Sequence, residues 1–318
     1  MNYDKTIIVT GGAGFIGSNY LNWAVTRYPK YFFINLDALT YAADLQNITV
    51  TDEPNYVFVQ SDIRNIAALE MVWAQYSPTD IIHFAAESHV DNSIANPRIF
   101  VETNVNGTQN LLECARTHGI KRFHHISTDE VYGSLPFDAV PTDENAPLLP
   151  NSPYSASKAG ADLLVRAYNK TFELNTVTTR ASNNYGPHQH PEKLIPLFIN
   201  NLLAGKQIPL YGTGKNIRDW MFVGDHVLGI DAVFHKGISG AVYNLGGGNE
   251  VENIDITKKL LTLIGSDESA ITYVTDRLGH DLRYALDCSK AKRELDWVPL
   301  KSLEEGLKET VSYYKNNQ

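Results

Sequence analysis

Through the first half of the chain, short apolar runs alternate with longer stretches whose apolar residues recur at helical spacing. The runs are Thr6 to Thr10, Tyr31 to Leu36, Tyr56 to Gln60, Asp80 to Phe84 and Phe123 to Ile126. Short runs of this kind are the signature of buried parallel strands. Ser18 to Arg27 continues as a helix. Ile99 to His118 reads as one long helix, with apolar or small residues at Phe100, Val101, Val105, Leu111, Leu112 and Ala115. Pro153 to Phe172 is a second long helix. These two helices suit pairing across a dimer axis and internal packing equally. Strand–helix alternation predicts a parallel, doubly wound α/β sheet.

Past Arg180 the pattern becomes irregular, with prolines at 187, 191, 196 and 209. A second, smaller C-terminal domain is expected there, closing over a substrate. The boundaries are 1–180 for the sheet domain and 181–318 for the substrate domain. Asp219 to Phe234 again looks helical, so a return to the first domain is expected around 219–245.

Composition narrows the class without naming a function. The 318 residues are 43% hydrophobic and 20% charged, which describes an ordinary globular chain. Twenty-seven basic residues against 36 acidic ones give a net charge of −9, a poor balance for nonspecific nucleic-acid binding. An anionic ligand therefore requires a local basic cluster. Cys114 and Cys288 have no metal-like spacing, and two free thiols are the favoured reading. No leader-like segment precedes the first strand, and no apolar run approaches the roughly 20 residues needed to span a bilayer. A cytoplasmic location is expected.

The first chemistry lies between the first strand and the first helix. Gly11, Gly14 and Gly17 permit a tight turn, close approach of backbone to a pyrophosphate, and close helix–strand packing. The spacing is GxxGxxG, a variant of the dinucleotide-binding turn, and it predicts a Rossmann-like sheet. Asp37 follows Gly17 by 20 residues, the separation of an acid that holds ribose hydroxyls. No arginine lies between Ala38 and Val59 to meet a 2′-phosphate, so NAD is favoured over NADP. Asp62, followed by Ile63, suits either an adenine amino group or a helix N-cap. Small residues at Ala85 and Ala86 let a nicotinamide ribose approach the strand ends. His89, nearby, reads as either a packed polar residue or part of the site.

Two further clusters point to proton transfer. Ser127-Thr128-Asp129-Glu130 follows an apolar strand. Adjacent carboxylates at a strand end are costly, but in different environments they divide into one acid and one base. Tyr154 and Lys158 lie four residues apart behind Asn151, Ser152 and Pro153, which supply a cap and a first helical position. The pair shares one helix face, and an ammonium beside the phenol is expected to lower its pKa. His188-Gln189-His190 has no carboxylate or cysteine pattern to support a metal site.

These segments, with Asn183-Asn184-Tyr185-Gly186-Pro187, Pro191-Glu192-Lys193-Leu194-Ile195-Pro196, Arg218-Asp219-Trp220 and Asp276-Arg277-Leu278-Gly279-His280-Asp281, span nearly the whole chain. They resemble the extended short-chain dehydrogenase/reductases that modify nucleotide sugars, and within them the dTDP-glucose 4,6-dehydratases. The resemblance implies an NAD-mediated, redox-neutral loss of water. In it Tyr154 takes the proton of the sugar 4-hydroxyl, Thr128 positions O4, Glu130 removes the C5 proton and Asp129 protonates the departing 6-hydroxyl. It implies cofactor contacts from Phe15, Ile16, Thr40, Ser88, Thr103 and Asn184. Substrate contacts are implied from Ser88, Asp91, Asn183, Lys193, Leu194, Pro209, Tyr211, Arg218, Asn253, Arg277 and His280. A homodimer is implied as well.

Leu278 departs from the family's usual proline. The short segment from Ser134 to Leu149 leaves any lid there in doubt. UDP-glucose is a second candidate substrate, because a pocket discriminates one methyl by only ~1–3 kcal/mol. A nucleotide-sugar 4-epimerase or decarboxylase needs Tyr154 and Lys158 but not the Asp129–Glu130 pair. A cofactor-binding protein without turnover would have no need of any of them.

Overall fold

The computed structural model describes residues 2–317. Its strands are β1 (Lys5–Thr10), β2 (Tyr31–Asp37), β3 (Tyr56–Gln60), β4 (Asp80–His83), β5 (Arg122–Thr128), β6 (Thr176–Ala181), β7 (Asn183–Tyr185), β8 (Ile208–Tyr211), β9 (Ile217–Phe222), β10 (Val242–Leu245), β11 (Glu250–Glu252) and β12 (Ile271–Val274). Seven of them form one sheet in the order β10-β6-β5-β4-β1-β2-β3, with every pairing parallel. Ile8 lies between Ile34 and Ile81 in register, and all three are fully buried. A strand covered on both faces needs apolar residues at nearly every position, hence the unbroken runs in the sequence. The strand order reverses direction between β1 and β4, where ligands sit outside the carboxyl ends of such sheets.

Helices cover both faces. α1 (Phe15–Arg27), α2 (Ile66–Tyr76), α3 (Val90–Ala95), α4 (Pro97–Phe100), α5 (Thr108–Thr117) and α6 (Pro153–Phe172) come first. α7 (Leu194–Leu203), α8 (Val223–Lys236), α9 (Asn253–Ile264), α10 (Ser289–Leu295) and α11 (Leu303–Asn316) follow. Leu69, Trp73, Leu111 and Val165 bring α2, α5 and α6 onto one face of the sheet. Tyr20, Leu21, Ile230 and Phe234 bring α1 and α8 onto the other. In the C-terminal half, α7, α9 and α11 enclose a separate core around Phe198, Ile208, Leu260 and Leu307.

Between α4 and α5 the chain stays helical but widens to a π-helical stretch, Val101–Gly107. The wider turn aims Asn104 at two partners at once. Its amide accepts from the Glu87 N–H (2.8 Å), and it donates to the Glu87 carbonyl (3.0 Å) and to Ser157 Oγ (2.8 Å). The loop after β4 is thereby tied to α6.

One expectation changes. Asp219 to Phe234 is not wholly helical: Ile217–Phe222 is β9, and α8 begins at Val223. β9 runs parallel to β7 and antiparallel to β11, so Asp219 to Phe222 is buried whichever way its side chains point. A short, fully buried apolar run carries no periodicity that separates strand from helix. The segment after Gly133 is no free lid either. Leu135 N–H donates to the Arg283 carbonyl, Thr142 N–H to Ala285, and Asp287 N–H back to Thr142, all at 2.9–3.0 Å.

Candidate active site

The turn after β1 is shaped for a backbone-lined cradle. Gly11 sits at φ +68°, and a Cβ there would lie 2.6 Å from Ala85 N. A Cβ on Gly17 would lie 2.3 Å from the Gly11 carbonyl oxygen. No side chain caps the start of α1 at Gly14, so its first N–H groups remain available to an anion. Asp37 ends β2, its carboxylate accepting from Ala13 N–H (3.0 Å) and Leu39 N–H (2.8 Å).

One cleft runs along these carboxyl ends. Gly11, Gly14, Phe15, Ile16 and Gly17 line it, as do Asp37, Thr40, Asp62 and Ile63. Ala85, Ala86, Ser88 and Thr103 continue the wall, and Tyr154 and Lys158 belong to the same cleft. Asn184 does not line it; its amide is held by the Ser182 carbonyl (2.9 Å) and His226 Nδ1 (2.9 Å). The N-cap of α2 is Asn65, which accepts from Ala68 N–H, so the capping alternative for Asp62 falls away. Asp62 instead grips the Arg64 guanidinium at 2.6 and 2.9 Å, which holds its carboxyl below the usual range. Arg64 also lines the cleft and lies just past the window in which an arginine is diagnostic, but Asp62 already occupies it. Gln189, His190 and Glu192 line the cleft too; irregular loop residues of this kind leave no pattern in the sequence.

α6 delivers the tyrosine and lysine. Ser152 caps it in a reciprocal box with Ser155, and Pro153 takes the first turn. Tyr154 is 8% exposed, packs edge-on against Phe100, and bonds the Thr128 hydroxyl. Here the electrostatic expectation is corrected. Burial first, then Glu130, pushes the phenol well above its ordinary value, opposed by Thr128. Lys158 directs its ammonium at the Ile126 carbonyl (2.7 Å), and burial lowers its pKa to about 8 against the pull of Asp162. The i,i+4 spacing gave the shared face but not where the ammonium points.

The carboxylate pair lies where β5 turns into a short 3₁₀ segment, Asp129–Tyr132. Asp129 is 2% exposed; one oxygen accepts from Thr128 Oγ1 (3.2 Å) and the other has no partner. Burial, then Glu130, then Asp219 push it well above the carboxylate range, with Arg218 opposing. Glu130 is half-buried and raised by burial, but Arg277, Arg218 and Lys193 all oppose the rise. The neighbours of Asp129 thus favour its proton, and those of Glu130 favour its charge.

Lys193, Arg218 and Arg277 come from three separate segments and converge on Glu130 in a chain of net charge −9. Lys193 donates to the Ser88 carbonyl (2.9 Å). Arg218 is 4% exposed, donates to the Ile217 and Asp281 carbonyls (2.7 and 3.0 Å) and lies 4.4 Å over the Tyr284 ring. His280 bonds Asp276 (2.5 Å) and stands edge-on to Tyr211, whose hydroxyl donates to Asp91 (3.2 Å). Pro209 precedes Tyr211 on β8, Leu194 opens α7 against the C-terminal core, and Asn253 opens α9. Buried polar atoms of Asn183, Asn253, Arg277 and Asp129 are left without partners. Unpartnered buried polar atoms of this kind suit contact with a polar ligand. Leu278 is 76% exposed. Among the described residues, no group of three His, Cys, Asp or Glu is placed to hold a metal.

The comparisons agree with this geometry. The family model described as GDP-mannose 4,6 dehydratase matches residues 8–310. A dTDP-glucose 4,6-dehydratase from Neisseria meningitidis serogroup B is 48% identical, over 99% of this chain and 94% of that protein. The structure of a dTDP-glucose 4,6-dehydratase from Bacillus anthracis in complex with NAD superposes with a TM-score of 0.92 at 48% identity, covering 98% of this chain and 97% of that one. A UDP-glucose 4-epimerase from Thermotoga maritima superposes with a TM-score of 0.91 at 31% identity, covering 98% and 99%. The backbone alone does not separate elimination from epimerisation.

Proposed function

The chain belongs to the dTDP-glucose 4,6-dehydratases, within the GDP-mannose 4,6 dehydratase family, and we propose that Asp129, Glu130 and Tyr154 carry its chemistry. The protein is an NAD-dependent hydro-lyase that converts dTDP-glucose to its 4-keto-6-deoxy product. The glycine turn, the uncapped start of α1 and the Asp37 carboxylate suit a dinucleotide. Held there, NAD would supply a reversible hydride acceptor for the sugar.

The remaining steps fall to side chains. Tyr154 takes the 4-hydroxyl proton, with Thr128 on O4. The buried phenol needs added positive charge to ionise, which the nicotinamide of a bound dinucleotide would supply. With a ketone at C4, the C5–H is acidic, and Glu130 removes it. Asp129 gives its proton to the 6-hydroxyl, which leaves as water. The proton on Glu130 returns to C5 as C6 receives its hydride; Tyr154 then releases the 4-hydroxyl proton to solvent, and Asp129 regains one from solvent. The balance is loss of one water with no net redox change. Lys193, Arg218, Arg277 and His280 meet the diphosphate and ribose, and Tyr211 with Pro209 lines the base pocket. Planar guanidinium forks suit phosphate.

The observation that carries this reading is the asymmetric carboxylate pair, which an epimerase does not require. The test is incubation of the purified protein with dTDP-glucose or UDP-glucose without added reductant. A product lighter by one water is expected, and relative rates rank the two nucleotides. A product of unchanged mass would remove the roles given to Asp129 and Glu130.

Three coarser features belong to the same proposal. The cofactor unit spans 1–180 with a return at 219–245, and the substrate unit 181–318; α8 and β10, which complete the large sheet, support this. A homodimer is supported by Val101 and Leu163, apolar residues 49% and 56% exposed on adjoining helical segments. A cytoplasmic location is supported by two free cysteines and by the lack, among the described residues, of a helix long and apolar enough to cross a membrane.

A further inference from the structure

The segment Asp281–Tyr284 makes contacts that the chemistry above does not use. Asp281 is 5% exposed, and all its acceptors are engaged. Its carbonyl accepts from Arg218 Nη2 (3.0 Å) and Asn216 Nδ2 (3.1 Å). One carboxylate oxygen accepts from Asn151 Nδ2 (2.7 Å), the other from the Tyr284 hydroxyl. Tyr284 in turn holds its ring against the Arg218 guanidinium. Arg218 is therefore held by two contacts from this segment, the Asp281 carbonyl and the Tyr284 ring, beside the carbonyl of its own neighbour Ile217.

The same segment is sewn to the chain that follows the catalytic pair. Leu282 N–H donates to Ser134 Oγ (2.8 Å), and Arg283 donates to the Pro136 and Ala139 carbonyls (3.2 and 2.6 Å). Ile217 N–H donates to Leu282, and Tyr284 N–H donates back to Ile217. Asn151, at the far end, directly precedes the Ser152 cap of α6, the helix that delivers Tyr154. Arg277 and His280 lie just upstream of Asp281 on the same loop.

Resting on the proposed dehydratase reading, we propose that Asp281 is a positioning residue that locks the phosphate-binding arm to the start of α6. The sugar's distance from Tyr154 is then set by where its diphosphate is held. Both ends of the substrate are fixed to one rigid frame, and the pyranose has little freedom to drift between oxidation at C4 and elimination at C6. Misplacing a bound substrate by about 1 Å costs on the order of 10²-fold in rate, so a seam of this kind acts on turnover more than on affinity.

The test separates the two. Asn151 is exposed and is not the cap itself, so Asn151→Ala cuts the link to α6 without touching Arg218. Its kcat for water loss is expected to fall ~10-fold or more, while competitive inhibition by thymidine diphosphate, which needs only the arm, stays within ~2-fold of wild type. Asp281→Ala keeps the carbonyl on Arg218 but also takes the acceptor from the Tyr284 hydroxyl and so loosens the ring against Arg218; both quantities worsen. Asp281→Asn, which keeps one acceptor for Asn151, recovers part of kcat. Melting temperatures check that each variant is folded, and Tyr284→Phe replaces Asp281→Ala if that chain does not fold. Wild-type kcat in Asn151→Ala, or a fall matched by an equal loss of thymidine diphosphate affinity, overturns the proposal. Failure of the wild-type protein itself to release water overturns the dehydratase reading instead.

Discussion

Replacing Asp129 and Glu130 separately by their amides divides the elimination into its two proton transfers. Asp129→Asn keeps shape and burial but has no transferable acidic proton. Glu130→Gln keeps shape but cannot accept one. General acid or base catalysis contributes ~10²–10⁴-fold, about 3–5 kcal/mol of barrier, so either variant loses water that much more slowly. Run in heavy water, the two diverge. In Asp129→Asn, Glu130 still removes the C5 proton, the 6-hydroxyl stays, and deuterium returns to C5; recovered sugar is heavier by about one mass unit, the difference between deuterium and hydrogen. In Glu130→Gln neither exchange nor water loss occurs. The assay is mass spectrometry of the nucleotide sugar over time. Water loss within tenfold of wild type in Asp129→Asn, or retained exchange in Glu130→Gln, would falsify the division of labour drawn from the environments of the two carboxyls.

Three further outcomes follow from the same structure. The folded Asp129 carboxyl lies well above its unfolded value, so the stability it contributes is complete below the unfolded value and is lost as pH rises through the folded one; the melting temperature of Asp129→Asn relative to wild type should therefore increase as pH rises from the ordinary carboxylate range, and a flat difference contradicts it. Gly17→Ala places a methyl 2.3 Å from the Gly11 carbonyl oxygen, and NAD retained through purification should vanish while the fold, read by circular dichroism, survives. Leu163→Glu puts a charge on an apolar helix face and should convert a dimer to monomers by light scattering; an unchanged mass places the interface elsewhere.

The sheet domain was legible because its rules are local. A parallel strand buried on both faces reads as a short apolar run, as β1 and β2 do; β5 shows only Phe123 and Ile126 around two buried histidines, and β3 is a half-buried edge strand. The cleft was legible for the same reason: Gly11, Gly17 and Asp37 act through backbone geometry at the ends of those strands. What resisted was long-range. β9 reads like the helix that follows it, since its partners β7 and β11 come from distant chain. The target of the Lys158 ammonium was equally hidden, because Ile126 O becomes available only where β5 ends beneath α6. The seam at Asp281 joins residues 63 to 148 positions apart, and nothing in any one segment announces it.

The split between Asp129 and Glu130 depends on β9 in a way that makes register a catalytic variable. Arg218 and Asp219 are consecutive on that strand, so their side chains point to opposite faces. Arg218 turns to the Asp281 carbonyl and the Tyr284 ring, and its charge favours ionised Glu130. Asp219 turns the other way, where Gly247 and Asn249 N–H groups (3.0 and 2.7 Å) hold its carboxylate, and its charge keeps the proton on Asp129. The pairing of Asn183 with Trp220 sets which residue faces which carboxyl. A slip of one residue along β9 would turn each of these two charges to the opposite face and weaken the asymmetry. Burial and Glu130 raise Asp129 and Arg277 leads the charges that oppose the rise of Glu130; β9 adds one charge of each sign to that division, held in a single register.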